Sequence, residues 1–261
     1  MPALQPAKID GLCRYPVKGL SAEPLNEVAL AIRQTLPSDR RYAIENGPSG
    51  FDAAAPTWLP KTYYLMLMRQ ERLAGLQTRF EDRSHVLTIR ERGAAVAQGD
   101  LETAPGRAAI EDFFAARFAD QLKGPPKILT GGGHSFSDVA RKVVSIINLD
   151  SLKAIEDMLG RPVHPLRFRA NLYVSGWPAW HEFDLLDRTL AIGEARLRII
   201  KRIVRCAAVN VDPDTATRDL EIPATLMRRL GHADCGVYAE VIACGTIRVG
   251  DAIAAEAPLP A

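Results

Sequence analysis

The sequence predicts an α+β fold in which short strands outnumber helices. Short apolar, β-branched runs recur along the chain, each cut off by Gly, Pro, Asn or Asp, which is the pattern of strands joined by turns. Helical spacing is confined to residues 107–120, 150–159 and 224–230. The 261 residues are 47% hydrophobic and 25% charged, enough apolar material for a substantial core in one large or two modest domains.

In order, residues 8–17 alternate around Ile9, Leu12, Tyr15 and Val17 and end at Pro16, Lys18 and Gly19, a strand running into a loop. Ser38 to Ile44 brings Arg40 and Arg41 to the start of a second strand. Asn46 to Gly50 is a turn. Val86–Arg90 and Ala94–Gln98 form a hairpin around Arg92-Gly93, while residues 65–80 fit strand or helix. Ile110, Phe113, Phe114 and Phe118 mark an amphipathic helix over 107–120. Lys123-Gly124-Pro125-Pro126 then breaks the chain, which divides it into domains at 1–123 and 124–256 with a tail at 257–261. The glycines of Thr130 to Ser135 lack the pattern of a nucleotide loop and read as a flexible turn. Ser145-Ile146-Ile147 is a strand, and Asp150 or Ser151 caps a helix that Gly160 stops. Pro165 to Ser175 reads as a strand with Arg167, Arg169 and Asn171 at period two on one face, a face that is costly to bury unless an anion lies against it. Arg196 to Cys206 is another strand, a helix follows over 224–230, and residues 237–244 with 246–249 form a closing hairpin around Gly245.

Composition narrows the function. The net charge of +2 gives no argument for nucleic acid, so an anion site has to come from local clustering of Arg and Lys. No apolar run is long enough for a membrane span and the first residues lack an export signal, which predicts a cytoplasmic protein. Cys13, Cys206, Cys235 and Cys244 are scattered, without the spacing of a zinc site, a disulfide scaffold or an iron–sulfur cluster. Cys206 stands apart because the run Ile203 to Asp214 delivers Arg205-Cys206 at a strand end before an Asp-Pro-Asp turn. A free cysteine is often a buried small hydrophobe. Arg205 beside it and Arg202 upstream favour a thiolate, which is the form that ligates soft metals. Of the other cysteines, Cys235 is the one placed nearest the site, in the loop His232 to Gly236.

Five motifs in order resemble one family: Tyr15-Pro16-Val17-Lys18, Asp39-Arg40, Arg167-Phe168-Arg169-Ala170-Asn171, Arg205-Cys206 with Val211 to Thr215, and Gly245 to Asp251. Together they resemble the MOSC (molybdenum cofactor sulfurase C-terminal) domain with its N-terminal β-barrel partner, over almost the whole chain, and are similar to the mitochondrial amidoxime-reducing component and its bacterial counterparts. The resemblance implies a β-barrel-rich α+β fold whose two lobes enclose a pyranopterin molybdenum cofactor. It implies that Cys206 ligates molybdenum and is catalytic, and that Lys18, Arg40, Asp138, Arg169, Asn171 and Arg205 hold the pterin and its phosphate. The residues agree: a phosphorylated dithiolene cofactor calls for guanidinium forks and a soft thiolate. The sequence departs from the pattern at Gly19, where relatives often carry Ser, and at Val204, where a polar residue is expected. The implied activity is two-electron oxygen-atom transfer that reduces N-hydroxylated or N-oxide small molecules, with electrons from a separate donor protein and no part for nucleic acid or membrane. The alternative is a sulfur or cofactor carrier that uses Cys206 without turnover. Such domains also occur fused to pyridoxal-phosphate-dependent sulfurases. This chain lacks the length for that catalytic domain, so a pyridoxal term would be inherited.

Overall fold

Seven strands close into a barrel in the computed structural model, which describes residues 7–256; the expected tail at 257–261 lies outside them. Around the ring the strands are Leu172–Ser175, Val144–Asn148, Asp234–Ala243, Ala195–Val204, Thr189–Ile192, Ala252–Ala255 and Ala7–Arg14, and the last pairs back to the first. Closure removes the exposed sheet edges. The single parallel pair in the ring, Leu172–Ser175 on Val144–Asn148, needs a crossover. Helix α2 (Leu149–Leu159) provides it, capped by the Asn148 side chain, two positions before the expected Asp150 and three before Ser151, and ended by Gly160 in the left-handed region. Inward positions at period two, among them Ile9, Ile146, Val174, Leu197 and Val237, fill the barrel.

A second layer is built from the three-stranded sheet Leu76–Phe80, Val86–Glu91 and Ala94–Asp100, with α1 (Ala104–Arg117) packed on it. The expected hairpin around Arg92-Gly93 is present, and the undecided residues 65–80 resolve into a 3-10 turn and an edge strand. Helix α1 begins three residues earlier than its aromatics suggest, because the Thr103 side chain accepts from the Gly106 N–H and Pro105 sits in the first turn. Ile110, Phe114 and Phe118 pack into the core of this layer as expected.

Sheet pairing runs across residue 123 in several places. Ala7–Arg14 belongs to the barrel, Glu27–Leu30 pairs with Gly245–Arg248, and Pro126–Leu129 pairs back onto Ala43–Asn46. Two expectations fail here. The hairpin around Gly245 does not form: Gly245–Arg248 pairs with Glu27–Leu30, since Ile247 is buried in the same core as Val28 and Leu30. The period-two strand over 165–175 is also absent. Pro165–Phe168 is a 3-10 turn, Arg169 takes a left-handed backbone (φ 52°), and only Leu172–Ser175 is strand. Pro165 opens that turn and the His164 ring accepts the Leu166 N–H, so local capping overrides the apparent alternation.

Helix α3 (Ile222–Leu230) covers the barrel near the Cys206 loop and stops at left-handed Gly231. Among the described residues, no helix is long and apolar enough to cross a membrane.

Candidate functional site

Loops from both layers meet at the end of strand Ala195–Val204 and enclose a cavity of about 300 Å³. The register of that strand against Asp234–Ala243 shifts between Ile199 and Lys201 and again between Arg202 and Val204. Such bulges re-aim the residues that follow. They bring Arg205 and Cys206 to the cavity wall, with the Cys206 thiol partly exposed.

The loop after Ala7–Arg14 is stitched to the loop before Ala43–Asn46. The Tyr15 N–H donates to Asp39 Oδ1 at 2.8 Å, and the Arg40 N–H donates to the Tyr15 carbonyl at 2.7 Å. Arg40 adopts a left-handed backbone (φ 50°) in a turn, not the strand start that the sequence suggested. Gly19 has φ +86°, and a Cβ there would sit 3.0 Å from the Leu65 carbonyl oxygen. The departure from Ser at this position therefore has a steric cause. Val204, the other departure, is 71% exposed.

All seven residues assigned from the sequence, Lys18, Arg40, Asp138, Arg169, Asn171, Arg205 and Cys206, line this cavity. They are not equivalent. Lys18, nearly buried, donates to the Phe136 carbonyl at 2.7 Å and to Asp138 Oδ1 at 2.5 Å. Arg40 is neutralised by an ion pair with Asp39 and donates to the Arg169 carbonyl at 2.8 Å. Asn171 is locked: its Oδ1 accepts from the Ser145 N–H and hydroxyl, and its Nδ2 donates to the Cys13 carbonyl. Its place is to hold strands together at the cavity floor. Arg205 donates from Nε to the Cys235 carbonyl at 2.7 Å and from Nη1 to the Phe168 carbonyl at 3.1 Å, while its buried Nη2 has no partner among the described residues.

The Arg169 guanidinium packs over the Tyr15 ring, 4.3 Å from its centre, with that of Arg40 at 4.5 Å from the same centre. Burial pulls Arg169 below its ordinary range, and Arg40 beside it acts in the same direction against Tyr15. Among the described residues Arg169 has no ion-pair partner, which is the environment of a cation built to meet an anion from outside the chain. Arg167, expected on the same face, instead ion-pairs with Asp212 at 2.6 Å and Asp219 at 2.8 Å. Its Nη1 donates to the Asn210 carbonyl, which secures the turn that follows Cys206.

Sequence reasoning passed over Lys61. Its ammonium lies 3.4 Å from the Cys206 sulfur and 3.3 Å from Asp138 Oδ2. Burial disfavours its charge, but Asp138 and Cys206 outweigh this and the net shift is upward. Enclosure likewise works against the Asp138 charge, yet Lys18 and Lys61 hold that carboxyl well below the usual carboxylate range. Lys61 sits in a 3-10 turn after Pro60 with no surrounding motif, so only the folded chain brings it to Cys206. Burial sets two other cysteines apart, pushing the Cys13 thiol up to about 11 and the Cys235 thiol up to about 12. Cys235 does adjoin the site, through its carbonyl and not its thiol.

The cavity wall carries seven cationic side chains (Lys18, Arg40, Lys61, Arg167, Arg169, Lys201 and Arg205) against the carboxylates of Asp39 and Asp138. Among the described residues no three His, Cys, Asp or Glu side chains converge as a metal site. A metal held here would take one protein thiolate and bring its remaining ligands with it.

Residues 130–254 match the family model described as MOSC domain. Among solved structures, the chain is similar to the YuaD protein from Bacillus subtilis at 14% identity and a TM-score of 0.43, over 95% of this chain and 93% of that one. It is also similar to YiiM from Geobacillus stearothermophilus at 20% identity, with a TM-score of 0.35 over 44% of this chain and 54% of that one. YiiM from Escherichia coli gives 18% identity and a TM-score of 0.34, over 44% of this chain and 55% of that one. No curated protein sequence matches the chain.

Proposed function

We propose that the cavity holds a phosphorylated pyranopterin with its molybdenum on Cys206, because residues 130–254 match the model of the MOSC domain, a family associated with molybdenum-cofactor binding. The observation that carries this reading is a half-exposed thiol at the edge of a cationic cavity whose Arg169 guanidinium and Arg205 Nη2 lack partners among the described residues. The donor chemistry fits the group. Planar guanidinium forks suit a phosphate or the polar edge of a pterin, and a lone thiolate completes a metal already held by dithiolene sulfurs. The volume falls at the lower end of the range for cofactor sites.

Bound there, the cofactor would supply a metal centre able to pass two electrons. We assign the protein as an oxidoreductase of N-hydroxylated or N-oxide small molecules. For an N-hydroxylated substrate, two electrons and two protons convert the N–O bond to N–H and release water. In this reading Arg169 takes the phosphate and Arg205 the pterin edge. Asp138, paired with Lys18, holds Lys61 beside the thiolate, while Arg40 and Asn171 position these groups from behind.

Arg169→Ala is expected to lower molybdenum content at equal folded yield. A charge-assisted bond contributes about 1.5–3 kcal/mol, a loss of roughly tenfold or more in cofactor affinity. Metal analysis beside a thermal melt checks it, and an unchanged metal content in a folded variant would show that Arg169 serves the fold alone.

The purified chain is also expected to need a separate donor. Its cysteines do not approach the pattern of a ferredoxin-type cluster and no nicotinamide fingerprint is present. With molybdenum loaded, turnover should be negligible with NADH alone and should appear with a chemical reductant or a donor system. NADH-dependent turnover by the homogeneous chain contradicts the donor requirement. A fully loaded chain inert with every reductant would favour the carrier reading.

A further inference from the structure

We propose that Lys61 is the specificity-determining cation of the substrate pocket, and that it selects, at the face of Cys206, molecules presenting a negatively charged oxygen. N-oxides are thereby favoured over neutral N-hydroxylated compounds. This rests on the cofactor reading of the same cavity and names its substrate class.

The argument begins with charge. One oxygen of Asp138 already takes Lys18, and the other takes Lys61. Two ammoniums share one carboxylate, so Lys61 is only half-matched by Asp138 and turns to the Cys206 sulfur 3.4 Å away, in a cavity whose lining carries more cations than carboxylates. Lys61 is the outer of the pair, its side chain 29% exposed against 8% for Lys18. It is therefore the more accessible of the two to a small molecule entering from solvent. Its ammonium is also held in place, because the 3-10 turn Lys61–Tyr63 fixes the backbone and Asp138 and the sulfur fix the tip.

The cavity also has an apolar share. Met66, Met68 and Val204 line the cavity, and Trp58 stands at its rim with the indole N–H directed to the Ser137 carbonyl. A charge largely shielded from solvent, as Lys61 is, acts through a lower dielectric than one in water, so it discriminates more strongly between an anionic oxygen and a neutral hydroxyl. An N-oxide matches both features, with an apolar body for the walls and a formal negative charge on oxygen for the ammonium. A hydroxylamine, with no charge separation along its N–O bond, offers Lys61 a much weaker dipole.

The test reads the selection without the metal. The full-length, metal-free chain is alkylated with iodoacetate and with iodoacetamide, and modification of Cys206 is followed by mass spectrometry. Both reagents lose iodide to the same thiolate, so the ratio of the two rates cancels the fraction ionised and reports the local preference for an anion. The ratio should exceed that of a free-cysteine peptide. It should fall by about fivefold, ~1 kcal/mol, in Lys61→Met and be retained in Lys61→Arg. In the loaded enzyme, Lys61→Met should raise KM for an N-oxide relative to that for a neutral hydroxylamine by about the same factor. An alkylation ratio indifferent to Lys61→Met, or a KM change equal for the two substrates, overturns the proposal. Failure of the chain to bind molybdenum would remove the cofactor reading, and the alkylation ratio would still decide whether Lys61 selects anions.

Discussion

Cys206→Ser is expected to reduce molybdenum-dependent turnover to background and to strip the purified protein of most of its metal. Serine keeps the size and the strand-end backbone, but its hydroxyl stays protonated and is a hard oxygen donor, a poor substitute for a soft thiolate. Among the described residues no group of three His, Cys, Asp or Glu side chains is present to hold the metal in its place. The other thiols provide the controls. Cys244 is exposed and lies outside the cavity wall, while Cys13 and Cys235 are buried with their thiols pushed up to about 11 and about 12. Cys244→Ser should therefore retain full metal content. Metal analysis of the two variants, paired with a reduction assay using a chemical donor, separates the outcomes. Full activity in Cys206→Ser would end the assignment of this thiol as the metal ligand.

How much of this site was legible in the sequence depended on whether its signal was local. Cys206 and Arg205 were legible because one strand carries them to a turn, and a strand-to-turn transition leaves its mark on neighbouring residues. Arg169 was carried by the motif Arg167 to Asn171, but the strand geometry read beside it does not survive. It was assigned to a strand face shared with Arg167 and Asn171, whereas it sits in a left-handed turn, with Arg167 paired to acids and Asn171 locked between strands. The residue types pointed to anion chemistry, but the period did not. Lys61 left no trace at all. Its role is created by Asp138 and Cys206, 77 and 145 residues away in sequence, and an isolated lysine is ordinarily a solvated charge. The barrel divides along the same line. Alternating strands such as Ala7–Arg14 could be read directly, whereas the pairing of Glu27–Leu30 with Gly245–Arg248 is settled by long-range burial of Val28, Leu30 and Ile247 in one core.

The same dependence on distant partners makes Gly236 the position where the smallest change should do the most damage to fold and site together. Gly236 lies in the barrel strand Asp234–Ala243 with φ +75°, and a Cβ there would sit 2.4 Å from the Ile146 carbonyl oxygen, 2.6 Å from Ile147 Cδ1 and 3.0 Å from Arg205 Nη2. The first contact is with backbone of the adjoining barrel strand and cannot yield by a change of rotamer. The fully buried Glu182 accepts bonds from Asn148 and Ser151 and ties the neighbouring segment down. Positive φ costs an L-residue about 1–2 kcal/mol and overpacking about 1–3 kcal/mol more. Gly236→Ala should therefore destabilise the protein by about 2–5 kcal/mol, lowering the melting temperature by roughly 10 °C in a chain of this size. Because the third contact is with Arg205 Nη2, the surviving folded fraction should also hold less molybdenum than wild type. A thermal melt and a metal determination on the same preparation check both effects. A variant that melts within about a degree of wild type, inside the scatter of an ordinary surface substitution, would show that the barrel accommodates a side chain at this crossing.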